Sequence, residues 1–237
     1  MWSGPRNIST ALMRSWGNRP DTFVCDEPLY GFYLKSTGLP HPGRDEVVAH
    51  HECDWKKVAA WLTGPVPQGR GIFYQKHMAH HLLPEAEGDW LDELVNCLLI
   101  REPREMLTSL VHFIPEPVAT DTGLPQQLQI FDRVANKTGR DPLVIDARDL
   151  LEDPEGMLRA VCDRLGVAFT AEMLSWPPGL RETDGIWAKH WYDKVKETTG
   201  FGSYRPKPDP VPEVLLPLLE TCNEMYGKLA AGRLRVQ

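Results

Sequence analysis

The run Cys97–Ile100, CLLI, is apolar at every position, and it leads straight into REPREMLTSLVHF, where Met106, Leu107, Leu110 and Val111 recur at helical spacing. A strand apolar on both sides has to be covered on both faces, and a helix directly after it is the crossover that a parallel neighbour needs. The same alternation recurs along the chain. TFVC (Thr22–Cys25), GIFYQKH (Gly71–His77) and LVI (Leu143–Ile145) read as further short strands. Helices are expected from Ile8 onward, with Ile8, Leu12 and Trp16 on one stripe supported by Ala11, and over Trp55–Leu62, stopped by Gly64 and Pro65. Another follows Asp153 as N-cap, with Pro154 in the first turn, Glu155 near the positive end, Met157, Val161 and Leu165 on one face, and Gly166 as stop. A last helix is expected from about Pro212 to Leu229, with Leu215, Leu218, Leu219, Cys222 and Tyr226 inward. The pattern predicts an α/β chain, a three-layer α/β/α arrangement around a parallel sheet of four to five short strands, forming one domain over residues 1–237. Such sheets bind ligands beyond the carboxyl ends of their strands.

The first expected helix is preceded by SGPRNIST, Ser3–Thr10. Backbone N–H groups and the helix dipole make an anion site at a helix start, Gly4 permits close backbone approach, Arg6 adds a fixed charge, and Ser9 and Thr10 add hydroxyl donors. The arrangement is P-loop-like, but a triphosphate loop counted from Gly4 would carry Gly-Lys where this chain has Ser9 and Thr10. Only Met1 and Trp2 precede the loop as strand, so a first strand of ordinary length is expected to begin further upstream.

Composition narrows what the loop can serve. The net charge of −7 argues against nucleic-acid binding and requires any anion to be held by a focused site. No apolar run approaches the roughly 18 residues of a membrane span. The five cysteines are scattered without a CxxC pair, and no signal or transit peptide pattern opens the chain, so a cytoplasmic location is expected, with neither nucleic acid nor membrane as partner. His77, His80 and His81, and the run His50–Cys53, lack HExxH or paired CxxC spacing, so no metal is expected.

Arg101 stands directly after the buried strand and Ser109 eight residues on, in the following helix. With the loop, this pair resembles the sulfotransferases that use 3′-phosphoadenosine 5′-phosphosulfate. In that family a PKSGTT- or PRSGTT-type loop holds the 5′-phosphosulfate, and an Arg and a Ser eight residues apart hold the 3′-phosphate. The segments VIDARDLLEDPEGMLRAVCDRLGV and DGIWAKHWYDKV also resemble family segments, the latter the C-terminal basic and aromatic loop near the nucleotide. Asn7 and Ile8 replace the usual Ser-Gly, and the C-terminal loop has no plain Arg-Lys-Gly.

The resemblance implies an enzyme transferring a sulfuryl group to a hydroxyl or amine of a small-molecule acceptor. The co-substrate would be held by Gly4, Pro5, Arg6, Asn7, Ile8, Ser9, Thr10, Arg101 and Ser109, with Trp187 and Lys189 near the nucleotide; Trp191 is a second candidate to stack on the adenine. Arg6 would neutralise charge in the transfer, as the loop cation does in the family. For the base the resemblance offers two alternatives: Glu27, which lies 21 residues beyond Arg6 as in the tyrosylprotein branch, and His77, after a strand as in the small-molecule branch. Lys76 would then hold the sulfuryl oxygens or the leaving phosphate. The segments Tyr30–Glu52 and Phe113–Pro125 are expected to be loops that build the acceptor pocket, and Arg205–Glu213 a solvated linker. Two other function classes fit less of the pattern: a kinase or hydrolase of the wider P-loop class, and a nucleotide-binding relic without catalysis. No feature of the sequence speaks to oligomeric state.

Overall fold

Cys97–Ile100 lies in the middle of the molecule as strand β4, and its side chains divide between two cores. Cys97 and Leu99 enter one with Leu12, Met13 and Trp16, while Leu98 and Ile100 enter the other with Leu29, Leu107 and Ile130. The structure, a computed structural model, describes residues 1–207 and 209–236, so Pro208 of the expected linker and the terminal Gln237 lie outside the described residues. The other strands are β1 (Trp2–Ser3), β2 (Thr22–Asp26), β3 (Ile72–Met78) and β5 (Leu143–Asp146), and the sheet order is β2-β3-β1-β4-β5. Every pairing is parallel, with Val24 opposite Tyr74, Trp2 between His77 and Leu98, and Leu98 opposite Val144.

Ten α-helices are described: α1 (Ser9–Gly17), α2 (Tyr30–Thr37), α3 (Arg44–His50), α4 (Trp55–Leu62), α5 (Pro103–Leu110), α6 (Leu124–Thr138), α7 (Ala147–Glu152), α8 (Pro154–Leu165), α9 (Ala188–Trp191) and α10 (Leu216–Ala231). α1, α7 and α8 supply one core, while α2, α4, α5, α6 and α10 supply the other, which gives the three layers. α8 follows its sequence signals closely. Asp153 accepts the N–H of Gly156 at 2.9 Å, and Gly166 closes the helix at φ 70°. The last helix starts later than expected, because Glu213–Leu215 forms a single 3-10 turn before it.

Two expectations fail. Tyr30–Glu52 is not a loop, since α2 and α3 occupy most of it, and the end of the second segment, Phe113–Pro125, already belongs to α6. In α2 the residues Tyr30, Gly31, Phe32, Tyr33 and Leu34 are all buried, so no polar face exists to create a helical period. α6 is missed for a related reason: its buried stripe, Leu124, Gln127 and Ile130, passes through a glutamine. Gln127 donates to the carbonyls of Trp2 and Leu99 at 3.1 Å each, stitching the helix across β1 and β4.

β1 is short. The Met1 ammonium donates to the Gln75 carbonyl at 2.8 Å, and a cavity of about 420 Å³ lined by Met1, Ile72, Tyr74, Asn96 and Cys97 lies at the strand-start end of the sheet. Among the described residues no helix is long and apolar enough to cross a membrane.

Candidate active site

The loop from Gly4 to Ile8 leaves β1 at the carboxyl end of the sheet and turns into α1, whose first N–H groups have no partners within the helix. Asn7 spends its side chain on the loop itself: Nδ2 donates to the Leu99 carbonyl at 3.0 Å and Oδ1 accepts the Ile8 N–H at 2.9 Å. Arg6 at the crest has φ 56°, a left-handed conformation that costs a non-glycine residue about 1–2 kcal/mol. Gly4 is required for a different reason than close approach to a ligand, because a Cβ there would lie 2.3 Å from the carbonyl oxygen of Thr122. The bare Cα lets the segment before α6 pack under the loop.

The positive φ turns the Arg6 side chain back toward α5. Its Nε donates to Ser109 Oγ at 3.0 Å, and its guanidinium covers the Phe113 ring at 4.5 Å. Arg101, at the end of β4, donates from Nη1 to the Arg6 carbonyl at 2.5 Å and from Nε and Nη2 to Glu105 Oε2 at 3.2 and 3.0 Å. Tyr204 donates to the other oxygen of Glu105 at 2.7 Å. Arg6, Arg101 and Ser109 are therefore assembled in one place. Burial and the nearby Arg101 charge lower the proton affinity of Arg6; burial, then Arg101 and Arg6, lower that of half-buried Lys207. Arg101 and Lys207 thus act on Glu105, while Arg6, Arg101 and Lys207 oppose one another's charge. Beside them a cleft of about 180 Å³ is lined by Ile8, Arg101, Glu105, Arg148, Tyr204 and Arg205.

Glu27 follows β2 directly and also has positive φ, 40°. In the sheet order β2 and β1 are separated by β3 alone, so Glu27 and Arg6 leave strand ends two spacings, about 10 Å, apart. One carboxylate oxygen, Oε1, accepts Lys76 Nζ at 2.5 Å, while Oε2 lies 3.9 Å from His81 Nδ1. Burial raises the proton affinity of Glu27 despite the opposing Lys76 charge. His81 is held far below its ordinary value, first by burial and then by neighbouring His80, so it stays neutral beside the carboxylate. The combination is a carboxylate with one oxygen anchored by Lys76, at the end of the edge strand two places from β1 in the sheet.

The family described as "Sulfotransferase domain" matches residues 1–230. The chain belongs to the sulfotransferase family. Two solved sulfotransferases share its fold: the "Sulfotransferase Domain from the Curacin Biosynthetic Pathway", TM-score 0.55, 16% identical, covering 95% of each chain, and a sulfotransferase from Alicyclobacillus acidocaldarius, TM-score 0.52, 13% identical, covering 98% of this chain and 93% of that one. Two curated proteins of Arabidopsis thaliana are also similar, "Branched-chain-amino-acid aminotransferase-like protein 2" at 36% identity over 228 residues and "protein 1" at 38% over 231. Each match takes in 96% of this chain and 40% of the relative, so the chain spans about two-fifths of their length.

Four of the residues that the sulfotransferase resemblance brings forward sit elsewhere than expected. Lys76 does not reach the loop, because its ammonium is 1% exposed and donates to Asp26, Glu27 and Tyr192. His77 is the next residue on β3 and so lies on the opposite face. Its ring stacks on Trp2 at 4.0 Å and touches Gln75 Oε1 at 3.2 Å, and burial holds its proton affinity well below the usual range. Trp187 is 1% exposed, packed against Tyr30 and His51 at 5.0 and 4.9 Å, with no face open to an adenine. Lys189 pairs at the surface with Glu46. Trp191, half-buried, lies between His41 and Phe113 at 6.4 and 5.8 Å. Sequence reasoning missed Lys207, Glu105 and Tyr204 at the loop, and Asp26 and Tyr192 beside Glu27. The signal for Lys207 was a cation in the Pro-rich run taken as a linker; for Tyr192, an aromatic at the end of the basic segment.

Proposed function

We propose that this sulfotransferase-family chain transfers the sulfuryl group of 3′-phosphoadenosine 5′-phosphosulfate to a hydroxyl or amine of a small acceptor. The observation that carries this reading is the convergence of Arg6, Arg101 and Ser109 on the loop, with an excess of positive charge and a neighbouring cleft. The open N–H groups at the start of α1, with Ser9, Thr10 and Arg6, suit a phosphosulfate; Arg101, Ser109 and Lys207 suit a second phosphate; the cleft beside Tyr204 suits the nucleoside. When bound, the nucleotide supplies an electrophilic sulfur whose bond to the bridging phosphate oxygen breaks as the acceptor–sulfur bond forms.

Arg6 holds its charge where the separating bisphosphate gains negative charge, and it holds that charge on a fixed, strained backbone, so no reorganisation is needed during transfer. Glu27 accepts the acceptor proton at Oε2, the oxygen that Lys76 leaves available. The burial of His77, stacked on Trp2 on the other face of β3, favours Glu27 over it for that role. The aminotransferase-like names of the two plant relatives add no second reading, since 40% of their length is matched.

Titration calorimetry with adenosine 3′,5′-bisphosphate and with ATP tests the reading. The bisphosphate is expected to bind and ATP to bind more weakly, and labelled sulfate is expected to pass to alcohols, phenols or amines in a screen. Absence of bisphosphate binding refutes the proposal, and binding without transfer to any acceptor leaves the nucleotide-binding relic as the better description.

A further inference from the structure

The side chain of Glu27 is aimed by three residues that do not belong to the loop. Its strained backbone is pinned first: the N–H donates to the Lys76 carbonyl at 2.8 Å and the carbonyl accepts from Tyr30 at 2.9 Å. The ammonium of Lys76 then spends its three N–H bonds on Glu27 Oε1 at 2.5 Å, Asp26 Oδ1 at 2.8 Å and Tyr192 Oη at 3.1 Å. Tyr192 in turn donates to Asp26 Oδ2 at 2.6 Å, and the Gly185 N–H donates to the same oxygen at 3.3 Å. A lysine ammonium on a flexible stem is a poor pointer when it has one partner. With two of its three directions fixed by Asp26 and Tyr192, the third is left toward Glu27.

Charge follows the same geometry. Two carboxylates share one ammonium in a nearly dry site, so Asp26 and Glu27 compete for it, and the Asp26 charge opposes the ionisation of Glu27. The groups facing Glu27 are Asp26 from β2, Lys76 from β3, Tyr30 from α2, neutral His81 and, through Lys76, Tyr192 after α9. The segment that brings Tyr192 is itself anchored, since Asp184 pairs with Arg14 of α1 at 2.6 Å with both side chains 2% exposed. We propose that Asp26 and Tyr192 are positioning residues that act through Lys76 to aim the Glu27 carboxylate and balance its charge. This rests on Glu27 being the base of the proposed transfer.

The two ends of the network act in opposite directions, which a purely structural role does not reproduce. In Lys76→Met the cation is lost and Asp26 remains, so Glu27 holds its proton to higher pH. In Asp26→Asn the competing carboxylate is lost and the ammonium serves Glu27 alone, so the titration moves to lower pH. Tyr192→Phe, the mildest change, leaves Asp26 short of a donor and draws Lys76 toward it, which moves Glu27 in the same direction as Lys76→Met and by less. Each charge change is expected to be worth about one pH unit or more.

The experiment follows the 13C resonance of the Glu27 carboxyl across pH in the resting protein, assigned by its loss in Glu27→Gln, alongside the acid limb of kcat/KM for sulfuryl transfer. Opposite shifts in Asp26→Asn and Lys76→Met support the proposal, as does an intermediate shift in Tyr192→Phe with its unfolding midpoint retained. Shifts of the same sign, or a Glu27 titration unmoved in Asp26→Asn and Tyr192→Phe, overturn it. The carbon titration needs no turnover, so a chain without transfer activity refutes the sulfotransferase reading by itself and leaves this result separately legible.

Discussion

Replacing Trp187 by alanine separates a core role from a nucleotide-stacking one. The ring is 1% exposed and meets Tyr30 edge-on and His51 at a tilt, and a Cβ on Gly185 would lie 2.1 Å from its Cζ2. Burying an aromatic ring of this size removes about 150–250 Å² from water, which at about 25 cal/mol per Å² is about 4–6 kcal/mol. Trp→Ala changes in packed interiors cost about 3–5 kcal/mol once partial collapse of the site is included. The indole N–H has no hydrogen-bond partner among the described residues, so the loss is one of packing alone. For a chain of this size each kcal/mol moves the midpoint by about 2–4 °C, so Trp187→Ala is expected to melt about 10 °C lower. Urea unfolding followed by circular dichroism measures the loss, and calorimetry with adenosine 3′,5′-bisphosphate measures binding below the transition. A variant with an unchanged urea midpoint and a bisphosphate affinity reduced about tenfold, 1.4 kcal/mol, would refute the burial argument and restore the ring to the nucleotide.

Lys189→Ala removes a surface pair with Glu46 and is expected to leave bisphosphate affinity and the melting midpoint unchanged in the same two assays. Lys207→Ala, by contrast, is expected to weaken bisphosphate binding several-fold and to flatten its dependence on salt, measured by calorimetry at two ionic strengths. Glu27→Gln should retain bisphosphate binding and lose about 10²–10⁴ in transfer rate, read with labelled sulfate. Burial raises the proton affinity of Glu27, and the base acts only when ionised. Activity is therefore expected to fall as pH drops through a point above the ordinary carboxylate range, and a pH profile flat down to that range contradicts the assignment.

Much of the fold is legible in the sequence because the relevant forces are local or periodic. CLLI has to be a covered parallel strand, and Asp153, Pro154 and Gly166 bound a helix by satisfying or omitting backbone groups within their own turns. Arg101 and Ser109 meet at the loop because a strand end and a helix fix their offset. Of the helices not expected from the sequence, α2 is buried throughout its first five residues and α6 carries Gln127 on its inward face.

The alternation of a strand already contains the fact that Lys76 and His77 point to opposite faces. It does not contain which face meets Glu27. That depended on the order β2-β3-β1, which sets Asp26 opposite Lys76 and leaves His77 stacked on Trp2. The partner set of Lys76 was still less accessible, because Tyr192 lies 116 residues away in a segment held down by Arg14 and Asp184. By itself, then, the sequence determined the alternating strands and helices, and the places of the Gly4–Ile8 loop before a helix and of Arg101 at a strand end. Only the tertiary structure decided which cations face the loop and which are spent on buried carboxylates, since charge pairing in a dry interior depends on distances between residues that neither spacing nor periodicity connects.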